Sequence, residues 1–344
     1  MLSATEHPLR RSRLFPPRLL SPGQTALVLL ALIWVPLFTF VLYRDQLGPF
    51  GSRLLLPSVP AVVALYVLAV RSWGRTPVAL IGLTLVCFWM LVAVAVPFLP
   101  LADPDKPYAP YALPGAVRHG MLFLLGTDTR GRDVLSRTLW GCQRVMVWGV
   151  TATAVAYAVG TVCGLVGGYL GGWWDEIVSF VGNLLLSFPV MVLFILVLDV
   201  LGQSAFNIII AVTCSSAPVI TRIVRGLALD ARSRDYIQAA QTRGEHPLWI
   251  MLVEVLPNVR GPLIVDACLR LGYTTVAITT LTFLGLGLAP PDPDWGLMIK
   301  EAANAALLWK FSYMLTVPAL AVSSLILGFN LIADGLHERG QAGR

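Results

Sequence analysis

The sequence is short of charge. Asp, Glu, Lys and Arg make up 13% of its 344 residues, about half the share found in an average soluble domain, and this excludes an ordinary soluble enzyme. Lysine is the scarcest of the four. Lys106, Lys300 and Lys310 follow Asp105, Ile299 and Trp309, so none completes the G-x-x-x-x-G-K-[ST] loop that cradles nucleotide phosphates. Any ATP-driven step therefore needs its nucleotide site on another polypeptide. His7, His119, His246 and His337 lie too far apart for a local ligand pair. Cys87, Cys142, Cys163, Cys214 and Cys268 contain no C-x-x-C pair, and all but Cys142 sit in apolar runs, where a thiol acts as a small hydrophobe. Local metal and dithiol motifs are thus absent, which leaves only sites assembled from distant residues.

Apolar residues supply what charge does not. They form 56% of the chain, and mean hydropathy is +0.74. Runs of about 20 residues, the length that spans the hydrocarbon layer, recur from end to end. They fall near 25–43, 54–70, 77–98, 145–170, 184–201, 206–224, 262–284 and 314–333, and predict a polytopic all-α membrane protein with eight helices. Arg10, Arg11, Arg13 and Arg18 precede the first run. That run is longer than a signal-peptide core and no A-x-A-like site follows it, so an uncleaved first helix is expected. The net charge of +6 comes from basic residues clustered between the runs. This reads as membrane orientation rather than nucleic-acid binding. An even helix count with a basic N-terminus places both termini in the cytoplasm, although the inward excess of basic residues is small.

Gly160, Gly164, Gly168 and Gly172 recur every fourth residue. In lipid such a stripe lets two helices approach closely, because packing rather than hydrophobicity drives their association. The partner helix lies either in the same chain or across a subunit interface.

Between the sixth and seventh runs the sequence is heavily punctuated. Residues 234–243 read as a short helix that Gly244 ends in a left-handed turn; Pro247 then starts a second helix, which Leu256-Pro257-Asn258 closes. A helix this short is marginal in water unless it packs on something. The pair Ala239 and Ala240 leaves one face low enough to enter a partner's groove. The loop is built for docking.

Charged residues near the other membrane face pair at favourable spacing. Asp128 with Arg132, and Asp133 with Arg137, stand four residues apart with the acid first. Such pairs on a surface contribute under about 1 kcal/mol each, which suits fixing an amphipathic segment at the membrane surface rather than binding substrate. Within the runs, Asp199, Asp266, Arg270 and Asp334 need explaining. Asp199 and Asp334 fall near run ends. Asp266 and Arg270 share a helix face; they either line the route of a polar substrate or neutralise each other near the cytoplasmic interface.

The docking loop, through Ala239, Ala240 and Gly244, resembles the EAA loop of ABC importer permeases, with Gln238 in place of the leading Glu and Glu254 where relatives carry a basic or imidazole group. Three more stretches resemble permeases of the dipeptide, oligopeptide and nickel family, C-type subunit. They are Gly126-Thr127-Asp128 with Gly131-Arg132-Asp133; Phe283 to Leu288 with Pro290-Pro291 and Trp295-Gly296; and Phe329-Asn330-Leu331 with Asp334-Gly335-Leu336. The resemblance implies a type I importer permease domain over residues 75–344, with six transmembrane helices and a coupling loop at about 225–261. Residues 1–74 are then an added hairpin of two membrane helices. It assigns ATPase coupling to Tyr236, Gln238, Ala239, Ala240, Gly244 and Pro257. It also implies partners: a second homologous permease, two ATPase subunits that hydrolyse the ATP, an external substrate-binding protein and membrane lipid, with no nucleic acid. The expected location is the bacterial inner membrane. The chain itself would bind no cofactor or metal and carry no catalytic residue. It would form half of an alternating-access pathway for peptides or related small polar solutes, nickel chelates among them. The rival is a stand-alone secondary transporter or channel, whose mark is repeated halves with interrupted helices; no convincing repeat links 77–224 with 262–333. A membrane-embedded enzyme would need distant residues to converge.

Overall fold

A computed structural model describes residues 22–73, 77–118, 120–287, 293–305 and 308–342. His7, Arg10, Arg11, Arg13, Arg18, Arg75, His119, Leu288, Pro290, Pro291 and Arg344 therefore lie outside the described residues. The chain is built from helices: α1 (Pro22–Gly51), α2 (Ser58–Trp73), α3 (Pro77–Ala95), α4 (Val134–Leu165), α5 (Gly172–Leu186), α6 (Val190–Leu201), α7 (Ala205–Arg232), α8 (Asp235–Thr242), α9 (Pro247–Trp249), α10 (Leu256–Leu284), α11 (Trp295–Ala302) and α12 (Tyr313–Ala342). One small antiparallel hairpin, β1 (Ala116–Arg118) with β2 (Met121–Phe123), lies in the long α3–α4 loop.

Among the described residues, five stretches are long and apolar enough to cross a membrane: Pro77–Phe98, Val134–Leu170, Ala205–Arg232, Pro247–Leu284 and Tyr313–Glu338. α5 and α6 make a sixth if their bent pair counts as one span. The apolar parts of the first two helices, Val28–Tyr43 and Ser58–Arg71, are shorter. At 1.5 Å per residue they cover roughly 24 and 21 Å, against a hydrocarbon layer of about 30 Å.

The structure redraws several elements. The single helix expected over 184–201 is two, α5 and α6, meeting at 94°. Pro189 has no N–H to continue α5 and instead precedes the first turn of α6 in extended conformation. The helix expected from 145 begins at Val134, because the Asp133 carboxylate accepts the Ser136 N–H at 3.0 Å and caps it. Leu256-Pro257-Asn258 does not close a helix. Pro257 occupies the first turn of α10 after a π turn at Ile250–Val255, a position where its missing N–H breaks little, so helical structure runs on to Leu284.

Three of the four stripe glycines pack within the chain, whereas Gly172 starts α5 with nothing within 4 Å of an added Cβ. Cβ atoms added at Gly160 and Gly164 would lie 2.7 and 2.6 Å from the Cβ atoms of Ile220 and Val224 on α7, and one at Gly168 would lie 2.7 Å from the Arg225 carbonyl oxygen. α3 and α12 meet in the same way: a Cβ at Gly82 would lie 2.7 Å from the Gly328 carbonyl oxygen. The α1–α2 hairpin completes this side. Ile33, Leu37, Phe40 and Val62 are buried in one cluster with Leu83, Val86 and Trp89, and Phe38 meets Trp148 of α4 edge-on.

Gly164→Val drives a branched side chain into the α7 backbone. The isolated chain in detergent should lose at least about 1–3 kcal/mol of stability, read as a lowered Tm. Gly226→Ala, with nothing within 4 Å of the added methyl, should leave the Tm nearly unchanged.

Candidate functional site

The loop around α8 is a defined object. Asp235 in the first turn of α8 opposes the helix dipole, and the helix is anchored from one side. Ile237 and Ala240 are fully buried in one cluster with Ala228 and Ala231 of α7 and with Ile250, Met251 and Val255 of the following π turn. Gln241 Nε2 also donates to the Tyr169 hydroxyl at 3.1 Å. The alanine pair is therefore split, with Ala240 facing in and Ala239 facing out beside the exposed Tyr236 and Gln238. At the C-terminus Gly244 takes φ +76°. Its N–H bonds the Gln241 carbonyl at 2.9 Å and the Glu245 N–H bonds that of Ala240 at 3.2 Å. This paired pattern is the Schellman motif, which needs a residue tolerant of the left-handed region. His246 Nδ1 then accepts the Leu248 N–H at 3.3 Å and caps the next helix, with Pro247 in its first turn.

Glu254 faces Arg243 at 3.9 Å, and Arg243 also pairs with Glu245 at 2.8 Å. Its departure from the family pattern thus has a local partner. Pro257 is exposed. Leu248, Trp249 and Leu252, which the sequence reading left out, are all more than half exposed beside α8. Their three- and four-residue spacing was the available signal.

Gly126, Thr127, Gly131, Arg132 and Asp133 are buried, with Asp128 half-buried and Arg130 exposed, which corrects the expectation of exposed surface pairs. The loop between α3 and α4 folds back over it. The Thr127 hydroxyl accepts the Ala112 N–H at 2.8 Å and donates to the Ala109 carbonyl, and Tyr313 donates to the Ala112 and Thr127 carbonyls. At Gly131, φ is +85° and a Cβ would lie 2.9 Å from Pro110 N; Gly126, at φ +75°, is similarly enclosed by Ala112 and the Tyr313 ring.

Asp128 and Arg132 do pair, at 2.6 and 2.7 Å, and Arg132 reaches on to Glu301 of α11. Glu301 also takes Arg130 at 3.3 Å. Asp133 and Arg137 do not pair, because Asp133 is occupied as the α4 cap. The Arg137 side chain, 0% exposed, donates to the Pro104 carbonyl at 3.0 Å and reaches Asp105 at 3.4 Å. Burial works against the Arg132 charge, yet Asp128 and Glu301 outweigh it and hold the guanidinium above its usual range. Burial pushes the Asp133 carboxyl up, against the pull of the N–H groups it caps.

Asp294 and Trp295 fix α11 in the same region. Asp294 accepts the N–H groups of Gly296 and Leu297, and burial raises its carboxyl too. Trp295 donates to the Thr138 carbonyl at 2.7 Å and stacks edge-on with Trp89.

Inside the apolar stretch of α10, Arg270 Nε donates to Asp266 Oδ2 at 2.7 Å, and Tyr157 of α4 donates to the same oxygen. The pair lies near the middle of the helical stretch Pro247–Leu284. Asp199 lies in the last turns of α6, whereas Asp334 falls within α12, which runs on to Ala342, and is exposed.

Residues 160–340 match the family described as binding-protein-dependent transport system inner membrane component. The chain is similar to the dipeptide transport system permease protein DppC of Haemophilus influenzae, at 34% identity over 263 residues covering 76% of this chain and 88% of that protein. It is also similar to the glutathione transport system permease protein GsiD of Escherichia coli, at 38% identity over 213 residues covering 62% and 70%. These matches disfavour a stand-alone channel or secondary transporter. Permeases of this kind work with ATPase and binding-protein partners, and theirs is a transport family rather than an enzyme family. The chain belongs to the binding-protein-dependent transport system inner membrane component family, as a multi-pass permease subunit of an ABC importer.

Proposed function

We propose that this permease carries peptides or related small polar solutes, and that α8 with its Schellman turn is the element its ATPases grip. The names of the similar permeases, one for dipeptides and one for glutathione, support the substrate class. The observation that carries the coupling role is the two-sided character of α8. Ile237 and Ala240 are locked into the helix bundle while Tyr236, Gln238 and Ala239 face away from it. Leu248, Trp249 and Leu252 add exposed apolar area in the segment that follows α8, and Pro257 lies in the first turn of α10.

In this reading the assembly holds one second permease, two ATPase subunits that bind and hydrolyse all the ATP, and a binding protein outside. The chain itself performs no catalysis and holds no cofactor. Both termini and α8 lie in the cytoplasm, and the Gly126–Asp133 network lies outside. Residues 75–344 form the transporting unit and the α1–α2 hairpin is an addition to it. Asp266 and Arg270 line the pathway. Closure of the ATPases moves α8, and the bundle to which it is fixed alternates between its two openings. The docked surface must differ in affinity between those states, because equal affinity shifts nothing.

Gly244→Val tests the handle. Nothing lies within 4 Å of an added Cβ, so the substitution acts through the left-handed backbone alone, at a cost of about 1–2 kcal/mol. Substrate-stimulated ATP hydrolysis should fall several-fold with insertion intact, and Gly244→Asn should be much milder; unchanged stimulation in the Val variant contradicts the role. Arg132→Ala tests the outer network. It leaves Asp128 and Glu301 without their shared cation, a loss of about 3–5 kcal/mol. Tm should drop and proteolysis within residues 99–133 should accelerate, with only partial recovery in Arg132→Lys, which lacks the planar fork.

A further inference from the structure

Asp266 and Arg270 stand in line with Tyr273 and Val276 along one face of α10, at the four-, three- and three-residue steps of a helical stripe. Tyr273 and Val276 are 64% and 42% exposed, so the ion pair belongs to the helix face that this chain leaves open. It is held without being sealed: the side chains of Asp266 and Arg270 keep 22% and 13% exposure. Asp266 also receives the Tyr157 hydroxyl from α4. Its carboxylate therefore keeps a hydrogen bond, and its place, when Arg270 lets go.

A solute with one charge pays heavily to enter such a low-dielectric surface, and it leaves the opposite member of the pair uncompensated. A zwitterion also gives up hydration at both its charges, but it leaves neither member of the pair uncompensated. Its ammonium takes the place of Arg270 at Asp266 while its carboxylate takes the place of Asp266 at Arg270, and the count of buried charges stays balanced throughout. Guanidinium is suited to this, because it grips a carboxylate with two parallel N–H donors. The spacing fits as well. The head groups touch at 2.7 Å in the resting pair, but their Cβ atoms, four residues apart on a helix, stand about 5–6 Å apart. Once Arg270 swings away, the two groups can separate toward the roughly 7 Å that two extended residues span.

We propose that the Asp266–Arg270 pair is an ion-pair exchange site for zwitterionic solutes, namely short peptides with both termini free. This rests on the reading of the α10 open face as part of the pathway. The exchange keeps the site weak, as passage requires, since the resting pair competes with the solute for both charges.

The test uses the complete importer in liposomes, with the binding protein loaded from a mixture of di- and tripeptides that includes N-acetylated and C-amidated forms. All five native cysteines are replaced by serine. The binding protein should retain peptides with both termini free. Tyr273→Cys should react with a water-soluble thiol reagent. The double variant Asp266→Asn/Arg270→Gln preserves shape and net charge; at saturating binding protein it should lower the maximal uptake rate about tenfold in complexes that co-purify with their ATPases. Should that variant fail to assemble, Arg270→Lys decides. It keeps the pair but loses the two-pronged grip, so uptake falls at least threefold at an exchange site and is unchanged where the pair only neutralises itself. Labelling at position 273 with normal uptake in these variants overturns the exchange site and leaves the pathway reading standing. A cysteine at 273 that never reacts overturns both. A binding protein that retains only solutes lacking one terminal charge overturns the exchange site alone.

Discussion

The close approach of α4 and α7 is the contact on which the rest depends. Lipid offers no gain for burying apolar side chains, so two helices hold together only as well as their surfaces fit. Gly160 and Gly164 of α4, and Gly168 in the π turn that continues it, remove the side chains from one face and bring Ile220, Val224 and the α7 backbone to within van der Waals distance. A rigid two-helix unit results, and the functional regions are attached to it. Its α8 end carries Ala228, Ala231 and Tyr169, which seat the short helix α8. Its other end carries Asp133 and Arg137, to which the long α3–α4 loop is tied. Between them, Tyr157 connects the unit to the ion pair on α10.

The two ends are built from different chemistry for a physical reason. At the α8 end the contacts are mostly apolar, and the outward face of α8, with Tyr236, Gln238 and Ala239, is exposed. At the other end the contacts are between charged groups that are largely buried. Removing Arg132 or Arg137 from water is costly, and their partners Asp128, Glu301, Asp105 and the Pro104 carbonyl offset that cost only in one geometry. Through these partners and Tyr313 the α3–α4 loop is tied to α4, α11 and α12.

Much of the fold was legible because lipid imposes simple rules. Helix runs, the intrachain or intersubunit alternatives for the glycine stripe, and the turn at Gly244 all follow from period, length and backbone conformation. The missed features were those decided by contacts distant in sequence. Hydropathy carries straight across Pro189, so the sharp bend between α5 and α6 left no trace in the run at 184–201. Asp133 and Arg137 have the spacing of a helical pair, but only the structure shows that Asp133 precedes the helix as its cap and that Arg137 turns to Pro104 and Asp105. Gly82 and Gly328 lie on different helices almost the length of the domain apart, and no local pattern announces that they meet. In the loop around α8 the candidate positions came from resemblance, whereas the division of Ala239 from Ala240 by facing did not.

The central claim is that α8 is a handle, fixed on its buried side to the α4–α7 unit and gripped on its open side by an ATPase. The most direct measurement introduces a cysteine at Ala239 in the assembled importer and asks what it touches. The expected result is protection from impermeant reagent added outside the cell, together with a disulfide crosslink to an engineered cysteine on the ATPase whose yield changes with ATP. Labelling from outside, or no crosslink to the ATPase at any cysteine position tried on its surface, would contradict it.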